Sequence, residues 1–105
     1  MIHFDREYRT PHSECFTILE DGGIIGRIDM HYQGENVYAT LCTTADANEA
    51  RIQELIESAE EQLVMTASPY REDFIVTVWK GSPAGVYSDD ADDDDDEEDD
   101  AFRMN

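Results

Sequence analysis

Lysine is nearly missing from this sequence of 105 residues. Lys80 is the only one, and lysine and arginine together number 7 against 26 aspartates and glutamates, for a formal net charge of -19 at pH 7. Affinity for nucleic acid comes largely from clustered basic side chains that displace counterions from phosphate, and the sequence has no such cluster. The composition therefore argues against direct nucleic-acid binding. The same sign of charge disfavours an anionic membrane surface.

Long hydrophobic runs are also lacking, and we expect no secretory leader. The longest apolar-rich stretch, FIVTVW at 74–79, has the length of a strand, whereas a membrane-spanning helix needs about 18 or more apolar residues. The opening MIHFDREYRT lacks the basic and apolar regions of a secretory signal. We therefore expect a cytoplasmic protein. Its only two cysteines, Cys15 and Cys42, are then expected to be free thiols, because disulfides are rare in reducing compartments.

The hydrophobic pattern that remains predicts strands first and a helix later. Alternation or short apolar runs predict strands at 15–20, 24–33, 37–44 and 73–79. Between the last two, an apolar residue recurs every three or four positions from Ile52 to Leu63, which is the spacing of one helix face. Asp46 and Glu49 have the spacing of a capping box at the start of that helix.

Turn lengths fix which side chains are expected to share a face, because a one-residue slip moves a whole strand to the other face. A two-residue loop at Gly34-Glu35 pairs Gln33 with Asn36. At the first hairpin we expect a three-residue Asp-Gly-Gly loop at 21–23. These registers place one apolar set on a common buried face: Phe16, Ile18, Ile24, Ile28, Met30, Tyr32, Val37, Ala39 and Leu41.

These elements predict an α+β fold. We expect a two-layer sandwich in which one amphipathic helix covers a four-stranded, mainly antiparallel sheet in the order β-β-β-α-β. A right-handed crossover would place the last strand parallel to the first and beside it at the edge. The domain spans 15–81. Residues 1–14 are expected to be an N-terminal arm or an edge strand, and residues 82–105 a disordered acidic tail.

The sheet face opposite the helix is the first candidate site. It would carry Tyr38, Ile75 and Trp79, which is a large apolar area to leave in water. Aromatic residues and arginine are enriched in protein interfaces, so we interpret this face as the surface for a partner or a second copy. The alternative is that the N-terminal arm folds over it, and both interpretations remain open.

A polar row lies on the same face. Arg27, Asp29 and His31 stand two residues apart along one strand and so point the same way, with Cys42 on the neighbouring strand. Such a set could be an acid/base or metal constellation. Strand alternation alone produces polar rows of this kind, and we favour that simpler interpretation. No catalytic, cofactor-binding or metal-binding residue is predicted, and no cofactor. The row is assigned to partner binding instead.

The second candidate is the acidic run SDDADDDDDEEDD at 88–100. As an EF-hand calcium loop it fails, because Asp95 stands where that loop needs glycine and Ala101 where it needs glutamate. Two interpretations remain: a self-repelling tail that keeps the protein soluble, or a mimic of nucleic acid that occupies a basic groove. The residues assigned to partner binding are its central ones: Asp92, Asp93, Asp94, Asp95 and Asp96.

The run extends a bias that the rest of the chain already has. Residues 1–87 hold 15 acidic and 6 basic residues, a charge of -9, and residues 88–105 hold 11 and 1, a charge of -10. We therefore expect a small non-enzymatic protein-protein interaction module, homodimeric, that is steered towards a basic protein partner. The alternatives are a nucleic-acid mimic and a small enzyme that uses the polar row.

Overall fold

The computed structural model describes residues 1–65 and 71–89 and has an α+β architecture. One five-stranded mixed sheet carries one helix on one of its faces. The elements are β1 (Ile2–Thr10), β2 (Ser13–Glu20), β3 (Gly23–Gln33), β4 (Asn36–Thr43), α1 (Glu49–Ala59) and β5 (Asp73–Lys80). Within the described part of the chain, no helix is both long and apolar enough to cross a membrane.

The strands lie side by side in the order of the sequence, from β1 to β5. Neighbouring strands are antiparallel except β4 and β5, which are parallel and are joined through α1. The predicted position of the last strand, beside residues 15–20, is therefore wrong. That edge is already taken by β1, which forms a hairpin with β2 and so pairs at a much lower loop-closure cost.

The N-terminal segment forms this edge strand, so the sheet has five strands where four were predicted. It pairs with β2 from Ile2, opposite Glu20, to Thr10, opposite Ser13. One extra residue, Glu7, interrupts the pairing as a β-bulge. Because a bulge reverses the alternation, the strand turns Tyr8 to the face opposite the one that carries Ile2.

The turn between β2 and β3 also departs from the prediction. Glu20 pairs with Gly23, so the loop has two residues, Asp21 and Gly22, with positive φ angles of 54° and 85°. Positive φ at both positions is typical of a type I′ hairpin turn. Ile25 is then a one-residue bulge, which restores the predicted register from Gly26 onwards.

The Ile25 bulge changes which face of the sheet the alternating side chains of β3 point to. Beyond it, Ile28 and Met30 are buried as predicted, whereas Ile24, predicted on the buried face, is 66% exposed on the opposite one. The predicted pairs of Gln33 with Asn36 and of Cys15 with Asp29 are confirmed. Cys15 and Cys42 are free thiols on strands separated by β3.

The helix begins two residues later than the proposed capping box. Asn48 is the N-cap, and its side-chain oxygen accepts a hydrogen bond of 2.8 Å from the backbone N–H of Arg51. The capping role predicted for Asp46 is therefore wrong, and its carboxylate instead accepts a hydrogen bond from the Thr44 hydroxyl. A π-helical segment, Glu60–Val64, continues the helix.

The core lies between α1 and one face of the sheet, here called the helix face. Leu55, Ala59 and Val64 pack against the inward side chains of β2, β3 and β4. The fully buried strand residues of this face are Ile18, Ile28, Met30, Val37 and Leu41. Sheet and helix therefore share one hydrophobic core on one side of the sheet.

Gly26 allows β3 and β4 to approach each other closely. A β-carbon at this position would lie 2.6 Å from the backbone carbonyl oxygen of Cys42, whereas one at Gly23 would lie 3.7 Å from the carbonyl of Glu20. The first distance requires the backbone to shift, and the second is an ordinary contact.

We therefore expect Gly26→Ala to lower the free energy of unfolding by about 2 kcal/mol, because overpacking against backbone cannot be relieved by a side-chain rotation. Gly23→Ala, in the same strand, is the matched control and should change stability far less. Urea denaturation of both variants measures the difference. Equal stabilities would show that the close approach at Gly26 is not a constraint.

Candidate functional site: the open face of the sheet

The face of the sheet opposite α1, here called the open face, carries exposed apolar side chains on β4 and β5. Trp79 is 64% exposed, Tyr38 40% and Ile75 38%. These three residues are here called the apolar cluster. All three were predicted to lie on this face, and the N-terminal segment does not cover them, because it forms β1 at the far edge of the sheet.

The pairing of β4 with β5 brings the apolar cluster together. Tyr38 stands opposite Ile75 and Cys42 opposite Trp79, with Thr40 opposite Thr77 between them. All six side chains point to the open face because the two parallel strands are in register without a bulge. The alternate residues of both strands face α1, so the apolar cluster is fixed by the same register that builds the core.

The polar row lies two strands from the β5 edge. The Nε atom of Arg27 is 3.5 Å from Oδ1 of Asp29, which forms an ion pair but is too long for a hydrogen bond. His31 is exposed and stands opposite Tyr38 on β4. Arg27 and Asp29 are therefore brought together, while His31 extends the row without joining their ion pair. The row therefore consists of one surface ion pair with an exposed histidine beside it.

Cys15 is fully buried although it lies on the open face. Tyr8 and Asp29 flank it on the neighbouring strands and stand directly opposite it. Burial, as the larger cause, and the adjacent Asp29 carboxylate together raise the pKa of the Cys15 thiol from 9.0 to about 12. The sequence pattern did not predict this site, because Tyr8 reaches the open face only through the Glu7 bulge.

A groove of about 840 Å³ borders the apolar cluster at one end of the open face. Residues 81–86 form one wall, and residues 24–27 of β3 form the other, with Trp79 and Cys42 in its lining. Of the polar row, only Arg27 lines the groove. The open face is therefore concave at this end, but the polar row does not converge on the concavity.

Ion pairs occupy most of the basic side chains in the described part of the chain. Four arginines each pair with a carboxylate: Arg6 with Glu14, Arg27 with Asp29, Arg51 with Glu20 and Glu54, and Arg71 with Glu60. The outer side of α1 and the segment that follows it carry exposed Glu57 and Glu61. The surface charge left for a partner is thus strongly negative.

Two further observations bound the chemistry of the site. Within the residues that the structure describes, no group of three or more His, Cys, Asp or Glu side chains is close enough to hold a metal ion. The acidic residues assigned to partner binding, Asp92 to Asp96, lie outside the described residues.

Comparisons with protein families, with curated proteins and with solved structures found no match to this chain.

The raised pKa of the Cys15 thiol predicts that the free energy of unfolding depends on pH in the alkaline range. Between pH 9 and about 12 the thiol is ionised in the unfolded chain but protonated in the folded one, so the free energy of unfolding falls as pH rises. Below pH 9 both states hold the proton and the effect vanishes. Chemical denaturation across this range should therefore show a shallower decline in Cys15→Ala than in the wild type.

The reactivity of the two thiols is the control for that assignment. In the folded protein at pH 8, a thiol reagent should modify the partly exposed Cys42 and leave Cys15 intact, and both should react after denaturation. Equal modification of the two in the folded state would contradict the burial of Cys15.

Proposed function

We propose that this chain is a small, non-enzymatic interaction module that binds a basic protein partner through the open face and forms a homodimer. One observation carries the proposal: the apolar cluster of Trp79, Tyr38 and Ile75 is exposed on two strands that pair without interruption. A cytoplasmic location agrees with this proposal.

The apolar cluster supplies the anchor for binding. Large aromatic side chains held by regular strands lose little conformational entropy when a partner covers them, and such residues dominate the energy of many interfaces. The groove beside Trp79 offers a concave place for an apolar side chain of the partner. The neighbouring Thr40 and Thr77 add hydroxyl groups that can exchange hydrogen bonds with it.

The charge of the chain selects the partner. With four arginines paired, the unpaired charges of the described residues are mostly carboxylates, and the acidic run at 88–100 adds more. Opposite charge speeds the encounter of two proteins, and like charge suppresses wrong partners. We therefore assign the acidic residues to steering and the apolar cluster to affinity. The polar row, on the neighbouring strand β3, contributes to specificity.

Peptide selection tests the anchor. Peptides selected from a random displayed library on the immobilised full chain should be rich in arginine or lysine and carry at least one apolar residue. Their binding is then measured by the fluorescence of Trp79, the only tryptophan. Tyr38→Ser should weaken a selected peptide by about tenfold, because it removes apolar contact area while it leaves the reporter in place.

Met65→Ser is the matched control for that experiment, because Met65 is an exposed apolar residue, 55% accessible, at the end of the helical segment. It should bind the selected peptides as the wild type does. Equal losses in the two variants, or peptides without net positive charge, would contradict the proposal.

Removal of residues 90–105 tests steering separately from affinity. The association rate of a basic peptide should fall and its dissociation rate should stay unchanged, because distant charges act on encounter more than on the bound state. The remaining rate should still decrease when NaCl is raised from about 0.05 to about 0.5 M. Stopped-flow fluorescence measures both rates. An unchanged association rate would remove the acidic run from the mechanism, and displacement of the peptide by DNA duplex would favour the nucleic-acid mimic.

A further inference from the structure

The two edges of the sheet differ in how they are protected against pairing. The β1 edge carries charged residues and the Glu7 bulge, two features that prevent another strand from adding to an edge. The β5 edge has no bulge, and its only charged residues, Asp73 and Lys80, stand at its two ends. Residues 74–79 contain no charged residue and no proline, and β5 pairs with β4 over eight residues without interruption. The β5 edge is therefore the one suited to accept a further strand.

The outward-facing backbone groups of β5 can be identified. The Gly81 N–H donates to the carbonyl of Thr43 on β4, at 2.9 Å. Because N–H and C=O groups alternate in direction along a strand, the odd-numbered residues of β5 face β4. The even-numbered residues Phe74, Val76 and Val78 then present their N–H and C=O groups to the open edge. No described residue outside β4 forms a backbone hydrogen bond with β5.

The described residues that follow β5 do not add a strand to this edge. Residues 81–86 share the groove with residues 24–27 of β3, so they turn inward across the end of the open face. Their one backbone hydrogen bond with a strand, from the Gly81 N–H to Thr43, is to β4, and none of residues 81–86 pairs with the backbone of Val76 or Val78.

We infer that β5 pairs with β5 of a second copy, antiparallel, about a two-fold axis at Thr77. A two-fold axis perpendicular to the sheet keeps the open faces of both copies on one side, so each residue must pair with one of the same parity. With Thr77 opposite itself, Val76 and Val78 exchange the edge hydrogen bonds. Ile75 then stands opposite Trp79 on the open face, an aromatic and β-branched pair that is formed twice.

The occupant is a second copy because the edge complements itself. Two chains that each carry a formal charge of -19 repel one another, and the uncharged stretch at 74–79 is where they approach at the lowest cost. Pairing joins the two sheets into one of ten strands and merges the two apolar clusters into one continuous surface. This inference rests on the homodimer of the proposed function and does not depend on the basic partner.

Charge placed on the two-fold axis tests the interface. In Thr77→Lys two ammonium groups face each other across the axis, and the dissociation constant of the dimer should rise by about tenfold. Thr40→Lys is the matched control, since it makes the same change on the same face, opposite Thr77 on β4. Its two copies lie about 14 Å apart, three strand spacings, where salt screens them. Sedimentation equilibrium measures self-association of the full chain.

A charge swap tests the register itself. Thr77→Glu should weaken the dimer in the same way, and an equimolar mixture of Thr77→Lys and Thr77→Glu should associate into a species with the mass of two chains at concentrations where each variant alone is mostly monomeric. Wild-type protein that stays monomeric at every concentration in about 1 M NaCl, where repulsion is screened, would overturn the inference. Equal association of Thr77→Lys and Thr40→Lys, or no recovery in the mixture, would overturn it as well.

The sign of the salt effect separates this inference from the proposed function. Self-association of two acidic chains strengthens as salt rises, whereas binding of a basic peptide weakens. Tyr38→Ser should impair peptide binding without loss of the dimer, because Tyr38 lies on β4, one strand inside the edge. A dimer without peptide binding would contradict only the basic partner, and peptide binding by a permanent monomer would contradict only the edge pairing.

Discussion

One helix can cover only one face of a five-stranded sheet, and the rest of the molecule is arranged around that limit. Leu55, Ala59 and Val64 bury the helix face and provide the hydrophobic core. The other face has no second layer across its β4 and β5 end, which leaves Trp79, Tyr38 and Ile75 exposed. A chain of 105 residues forms only a small core, so leaving this much apolar surface in water is costly unless a partner covers it.

Two bulges adapt the sheet to its unequal faces. The Ile25 bulge lets a two-residue turn coexist with a register that buries Phe16 and Ile18. The Glu7 bulge turns Tyr8 onto the open face beside Cys15 and at the same time interrupts the β1 edge. The β1 edge is therefore interrupted and carries charged residues, whereas β5 pairs with β4 without a bulge and has no described strand on its other side.

Most of the sheet could be predicted from the sequence because local turns and alternation determine it. The Gly34-Glu35 turn determines the register of β3 on β4 and hence the face of Tyr38, and the alternation along residues 73–79 predicts that Ile75 and Trp79 share one face. Bulges carry no comparable signal, so the exposed position of Ile24 and the burial of Cys15 were missed. The neighbour of β5 was also wrong, since a right-handed crossover is compatible with either edge and the choice depended on where residues 2–10 pair.

Amide hydrogen exchange along β5 tests most directly whether this edge is left open by the chain itself. Residues that face β4, such as Ile75 and Thr77, should exchange slowly at every protein concentration, because their N–H groups are bonded within the sheet. The outward N–H groups of Val76 and Val78 should exchange rapidly in dilute protein and become protected as concentration and salt rise. Protection of Val76 and Val78 in dilute monomer would contradict the account, since the edge would then be covered within one chain.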